Sequence, residues 1–151
     1  MIQFATYPSP VGPLEIGCEE NRIVCIRRGS DSESGVPTPL SDLAYRQIQE
    51  YFCGKRKTFD LPLLPKGTPF QQAVWHVLRE IPYGEVRSYA QIAASIGNPK
   101  ACRAVGQAVH SNPIWIVIPC HRVIGSNRSL TGYAGGLSMK EALLKIENPE
   151  A

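Results

Sequence analysis

Ser88-Tyr89-Ala90-Gln91-Ile92-Ala93-Ala94-Ser95-Ile96-Gly97-Asn98-Pro99-Lys100-Ala101-Cys102-Arg103-Ala104-Val105-Gly106-Gln107-Ala108-Val109-His110 is the stretch on which the reading of the fold turns. Ser88 and Gln91 have the spacing of a capping box, so a helix is expected to open there, run to about Ile96 and stop at Gly97. Asn98 is expected to cap a second helix that Pro99 begins and that reaches about His110. Helix, tight glycine turn, helix is the helix-turn-helix unit. Its second helix is rich in small residues, Ala101, Ala104, Gly106 and Ala108, which permit close approach to another backbone. That backbone is either a neighbouring helix of a bundle or a partner outside the chain, and this segment alone leaves both open.

Outward from this unit the helical character persists. Thr68-Pro69-Phe70-Gln71 is a capping box with proline at the first helical position, and Phe70, Val74, Val77/Leu78 and Ile81 form one face before Pro82-Tyr83-Gly84 breaks the helix. Asn112-Pro113 ends the helix-turn-helix. The apolar run 114–118 is expected as a buried strand or extended segment, followed at once by Pro119-Cys120-His121-Arg122. A polar turn (125–131), a glycine-rich loop around Tyr133 and a third capping box, Ser138 with Glu141, precede a last helix reaching about Glu147. Upstream, the stretches 2–7, 14–18 and 23–27 read as strands between turn signals such as Ser9-Pro10 and Glu20-Asn21. A loop over 29–39, an amphipathic helix over about 40–52 and a short alternating strand at Phe59, Leu61 and Leu63 complete this part. The expected fold class is α+β: an N-terminal lobe (1–65) of a small sheet with one helix, a linker around Pro65, and a mainly helical C-terminal lobe (66–151).

Composition limits the function classes. Hydrophobic residues make up 43% of the 151-residue chain and charged residues 19%, enough for a packed core. No apolar run is long enough to span a membrane, and Met1-Ile2-Gln3-Phe4 lacks the pattern of a signal peptide, so a cytoplasmic location is expected. The five cysteines, Cys18, Cys25, Cys53, Cys102 and Cys120, are odd in number and irregularly spaced, which favours reduced thiols. No pair has zinc-knuckle spacing, and His76, His110 and His121 complete no metal signature, so no metal is expected. The net charge of +3 is unevenly shared. Residues 1–65 hold seven Lys/Arg against eight Asp/Glu, and the remainder nine against five, so the C-terminal lobe is the better match for a polyanion.

Cys120 is the candidate nucleophile. A cysteine attacks as thiolate, and a neighbouring imidazole can take its proton. Pro119 fixes the backbone before it, and His121 and Arg122 add positive character. A Cys-His pair by itself favours a buried inert cysteine beside an exposed histidine. The longer string Ile118-Pro119-Cys120-His121-Arg122-Val123-Ile124 resembles the active-site signature of the O6-alkylguanine-DNA alkyltransferases, the methylated-DNA–protein-cysteine methyltransferases. Pro82-Tyr83-Gly84-Glu85-Val86 with Ser88-Tyr89 is similar to that family's entry to its helix-turn-helix. Asn98-Pro99-Lys100-Ala101 with Arg103-Ala104-Val105-Gly106 is similar to its recognition helix. Asn112-Pro113, Gly132-Tyr133-Ala134-Gly135-Gly136 and Lys140-Glu141-Ala142-Leu143-Leu144 follow in the family's order. The likeness covers about 70–147 well and the first lobe only loosely, through Ser9-Pro10-Val11-Gly12-Pro13-Leu14.

The resemblance implies a role for each matching position. Cys120 is the alkyl acceptor, His121 takes its proton through a bridging water, and Glu147 orients the histidine, which is the logic of nucleophile, base and orienter. Tyr89 donates to the leaving base, and Asn112 braces the active-site turn. Tyr133, Ala134 and Gly135 cover the flipped base, with Trp115 and Val123 lining its pocket. Arg103 fills the space the base leaves, and Ala104, Gly106, Ser88 and Arg122 meet the DNA. The implied partner of this expected monomer is double-stranded DNA carrying O6-alkylguanine, and its implied cofactor requirement is none. The product thioether implies a protein consumed in one turnover. For Tyr89 the residue pattern alone favours a core aromatic, and for Arg103 it also fits a phosphate-binding or surface arginine. Glu147 also reads as a solvated helix end, but a carboxylate there is mildly unfavourable against the dipole, which favours a functional reason. Trp115 stands where relatives carry a smaller residue, so a tighter pocket is expected. Equal reaction of wild type and Trp115→Ala with a benzylated guanine would count against that. Asn148 replaces a common glycine, and Cys18 lies near a zinc-ligand position of some relatives without the partners. Rival readings are a non-enzymatic lesion binder, which lacks the cysteine in the related proteins, a helix-turn-helix regulator, and a cysteine hydrolase.

Overall fold

The computed structural model describes residues 1–30, 35–125, 133 and 135–150. The chain divides into two compact units, Met1–Lys66 with Pro113–Trp115, and Gly67–Asn112 with Ile116–Ala151. The first holds an antiparallel sheet ordered β1 (Gln3–Tyr7), β2 (Leu14–Glu19), β3 (Arg22–Arg28). Glu20 and Asn21 both take positive φ, 50° and 62°, the geometry of a two-residue turn whose twist matches the strands it joins. Helix α1 (Pro39–Phe52) lays Ala44, Ile48 and Tyr51 on this sheet, all at 0% exposure, against buried Leu14, Ile16, Ile23 and Ile26. Each leucine or isoleucine among them removed from water stabilises the unit by roughly 1.5–3 kcal/mol before chain entropy is counted. Thr38 opens α1, its hydroxyl accepting from the Ser41 N–H at 3.1 Å.

The expected strand at 59–63 is corrected. Leu63 makes a single parallel bridge to Ile23, flanked by Ile23 N–H to Pro62 O and Leu64 N–H to Ile23 O, both at 2.8 Å. Pro62 and Pro65 have no N–H to extend a ladder. The run 114–118 is likewise not a strand. Ile114 bridges Ile26, and then Ile116 turns the chain away with φ at +73°, a left-handed angle rare for a β-branched residue.

The second unit contains α2 (Pro69–Arg79), β4 (Arg87–Ser88), α3 (Tyr89–Ser95), α4 (Cys102–His110), a 3₁₀ turn at Cys120–Arg122, β5 (Val123–Ile124) and α5 (Leu137–Glu147). The capping boxes at Thr68/Gln71 and Ser88/Gln91 form with both reciprocal bonds, so α2 and α3 begin where the residue spacing places them. Helices α2, α3 and α4 pack through Val74, Trp75, Leu78, Ile92, Ala93, Val105, Ala108 and Val109, and the Trp75 Nε1–H donates to the Ala108 carbonyl at 2.8 Å. Gly97, at φ +77°, makes the turn between α3 and α4, so the helix-turn-helix is present.

Two cap expectations are corrected. Asn98 does not cap α4: its carbonyl accepts the Ala101 N–H at 3.0 Å, closing a turn with Pro99 at the second position, and α4 starts only at Cys102. Ser138 does not cap α5. Gly136, at φ +97°, lets the chain enter the helix at Leu137, one residue before that cap would act. The architecture is α+β, a small sheet with one helix followed by helices, as expected from the sequence. Among the described residues no helix is long and apolar enough to cross a membrane.

Candidate active site

The turn carrying Cys120 is tightly specified. Pro119 sits at φ −81°, ψ 63°, the inverse γ-turn, and Cys120 N–H donates to Ile118 O at 2.8 Å. Arg122 N–H donates to Pro119 O at 3.0 Å and closes the 3₁₀ turn. β5 then pairs in parallel with β4, matching Val123 to Arg87 and Ile124 to Ser88. The Asn112 side-chain amide spends one hydrogen on Ile118 O (2.9 Å) and the other on the Cys120 sulfur (3.1 Å), so it holds both the turn and the thiol.

Cys120 is 1% exposed. Burial pushes its thiol up to about 11, against the opposing influence of the Asn112 amide, the Lys140 ammonium and the Tyr133 hydroxyl. The resting sulfur is therefore protonated at neutral pH, and reaction requires a base. His121, the adjacent residue, is wholly buried. Burial lowers its proton affinity, with the Glu147 carboxylate acting in the opposite sense, so the ring rests neutral. Its Nε2 lies 2.5 Å from Glu147 Oε2. The carboxylate oxygen accepts, which assigns the ring hydrogen to Nε2 and leaves Nδ1 with its lone pair. Nδ1 has no hydrogen-bond partner among the described residues.

Glu147 ends α5 and is bound from four directions. Besides His121, Arg122 Nε donates to Oε1 (2.7 Å), Arg122 Nη2 to Oε2 (3.0 Å) and the Gly84 N–H to Oε1 (3.2 Å). Tyr83 supports the same helix end, its hydroxyl donating to Ile146 O at 3.2 Å, and its ring lies 5.8 Å from the Arg122 guanidinium. The expectation that Arg122 meets DNA is corrected: the side chain is buried, and Nη1 donates to Ile81 O at 2.7 Å.

The structure ties Asn112 to the Cys120 sulfur and His121 to Glu147, two sets joined through the Cys120–His121 backbone, and buries Tyr133 and Val123. Tyr89 begins α3 with its ring against α4, 3.8 Å from where a Cβ on Gly106 would lie. Arg103 and Ala104 are exposed on α4, Gly106 is half-buried, and Ser88 is half-buried as the cap of α3. Gly135 lies in the turn before α5, and Ala134 is outside the described residues. Trp115 is 8% exposed and clusters with the first unit, where its N–H donates to Ile26 O at 3.0 Å.

Sequence reasoning gave no role to Lys140. This residue is fully buried, its ammonium donates to Val123 O at 2.5 Å, and its charge acts on the thiol. Burial lowers its pKa to about 8, with Cys120 acting in the opposite sense. The signal was available: Lys140, Leu143 and Glu147 fall at i, i+3 and i+7, so two charged residues share the buried stripe of one helix. No group of three His, Cys, Asp or Glu able to hold a metal occurs among the described residues, and all five cysteines are free thiols.

A buried thiol beside an imidazole–carboxylate pair shares one unit with two helices joined through a glycine turn. Comparison with known proteins shows which family combines them. Residues 69–149 match the family profile described as 6-O-methylguanine DNA methyltransferase, DNA binding domain, and residues 2–65 match the ribonuclease-like domain of the same family. A methylated-DNA–protein-cysteine methyltransferase of Methanosarcina acetivorans is 49% identical over 95% of this chain and 97% of its own length. The solved O6-methylguanine methyltransferase of Mycobacterium tuberculosis is 43% identical, covers 100% of this chain and 95% of its own, and superposes with a TM-score of 0.90. The Mycobacterium tuberculosis OGT solved in complex with DNA is 44% identical over 97% of this chain and 92% of its own, with a TM-score of 0.88. The chain belongs to the 6-O-methylguanine DNA methyltransferase family.

Proposed function

We propose that this protein repairs DNA by moving the alkyl group of O6-alkylguanine onto Cys120 in a single turnover. The observation that carries the reading is the buried thiol, held by Asn112 next to the His121–Glu147 pair. The thiol proton passes to Nδ1 of His121, in this family through a bridging water, as the sulfur attacks the alkyl carbon. The S–C bond forms while the C–O6 bond breaks, and Tyr89 donates to the departing guanine so that it does not leave as an anion. The product is a thioether, so Cys120 is spent.

A thiol this deeply buried cannot reach a base inside a duplex, so the nucleotide must be flipped out, at a cost of about a few kcal/mol. Arg103, exposed on α4, enters the vacated stack, and the small residues Ala104 and Gly106 let the helix approach the minor groove. Tyr133 covers the flipped base. Every side chain of the thiol network comes from one chain, which suits a monomer. Five unpaired thiols suit a reducing cytoplasm.

The test is a duplex bearing one O6-methylguanine, followed by intact-protein mass and peptide mapping. The expected result is a gain of one methylene on Cys120 that is absent from Cys120→Ala. Tight binding with no mass gain would make the protein a lesion binder instead.

A further inference from the structure

We propose that Arg122 is a positioning residue of alkyl transfer, fixing through Glu147 which nitrogen of His121 receives the thiol proton. The inference deepens the reading above and rests on it. A carboxylate offers about four lone-pair sites. In Glu147 all four face a donor: Arg122 Nε and the Gly84 N–H on Oε1, Arg122 Nη2 and His121 Nε2 on Oε2. A carboxylate so engaged has no site left for a proton of its own and acts as acceptor only. His121 Nε2 must then remain the donor, the ring cannot turn over without losing that bond, and Nδ1 alone stays basic.

The third arm of the guanidinium anchors this arrangement. Nη1 reaches the Ile81 carbonyl, and Ile81 N–H itself bonds to Leu78 O at 3.1 Å. The fork is thus built on the end of α2, while the carboxylate it grips is at the end of α5. Two helix ends and the 3₁₀ turn are joined through one planar cation. Lysine, a point charge without the fork, cannot reproduce three directed bonds. The guanidinium also sets the charge balance at the ring. After burial itself, the groups bearing on His121 are Glu147, which favours imidazolium, and Arg122 and Lys140, which disfavour it; Cys120 precedes the ring in the chain, and the Tyr83 ring lies against the Arg122 guanidinium.

The experiment compares wild type, Arg122→Lys and Arg122→Met in the full chain. Single-turnover methyl transfer from an O6-methylguanine duplex is followed against pH, with duplex affinity measured in parallel. Arg122→Lys is expected to bind the duplex as wild type does and to transfer at least about tenfold more slowly. In Arg122→Met the acid limb of the rate profile is expected to move to higher pH, because the imidazolium is no longer opposed by a neighbouring cation. A folded variant with wild-type rate and profile overturns the inference, as does a loss of rate matched by loss of duplex affinity, which would make Arg122 a DNA contact. The tautomer is read in the wild type, independently of any variant, from nitrogen-15 spectra of labelled histidine. Hydrogen on Nε2 of His121 supports the inference, and hydrogen on Nδ1 alone overturns it. Wild type that transfers no methyl sinks the functional reading itself, whereas active wild type with an unaltered Arg122→Lys sinks only this one.

Discussion

Lys140 and His121 are each fully buried, and each ties the site to pH. Lys140 carries its charge below about 8 and gives it up above, so its support for a thiolate fades as pH rises through that value. Lys140→Met is expected to slow alkylation of Cys120 by a small electrophile about tenfold, the equivalent of one pKa unit. It should also remove a bend near that pH, and stopped-flow alkylation across the range checks both. His121 ties the stability of the fold to pH as well. Its folded-state proton affinity is below the unfolded one, so the folded state binds fewer protons and its stability is lost as pH falls through about 6.5. Urea denaturation at about pH 7 and about pH 5 should show the midpoint dropping, with a smaller drop in His121→Gln. Cys120 and His121 were legible in the sequence because the signature string survives intact, and Asn112 and Glu147 through the family motifs on either side of it. Arg122 and Lys140 were misread or passed over because a charged letter says nothing about which way its side chain faces until the packing is known.

At the level of elements, local chemistry decided some boundaries and tertiary context others. Thr68 and Ser88 cap α2 and α3 as their four-residue spacing indicates, and Thr68→Ala should cost about 1 kcal/mol in a denaturant titration. Asn98 and Ser138 carry equally good capping letters and cap nothing. A cap needs extended backbone at its own position, and the residues that do precede α4 and α5 are Ala101 at φ −95°, ψ 24° and Gly136 at positive φ. The small residues of α4 divide between two faces. Ala108 is buried in the bundle with Val105 and Val109, and Ala104 is exposed with Arg103 and Gln107. Trp75→Phe would remove the indole donor from the Ala108 carbonyl, which keeps the Ser111 N–H, and should destabilise the unit by about 1 kcal/mol, read from the same titration.

For the whole molecule, the uneven charge noted in the sequence becomes a statement about DNA. Arg103 is exposed and Arg122 is buried, so the two arginines should separate in a salt titration of duplex binding. Arg103→Ala is expected to reduce the salt slope by about 1, while Arg122→Lys leaves it unchanged. By itself the sequence determined the α+β class, the sheet and the paired helices with their glycine turn, and it pointed to Cys120 as the candidate nucleophile. Those rest on short-range periodicity, turn chemistry and a contiguous motif. Only the tertiary structure decided that residues 113–115 join the first unit, that Ile116 breaks an apolar run, and that Arg122 and Lys140 turn inward on Glu147 and Val123. These depend on contacts between residues far apart in the chain, where burial, hydrogen-bond satisfaction and charge pairing outweigh local preference.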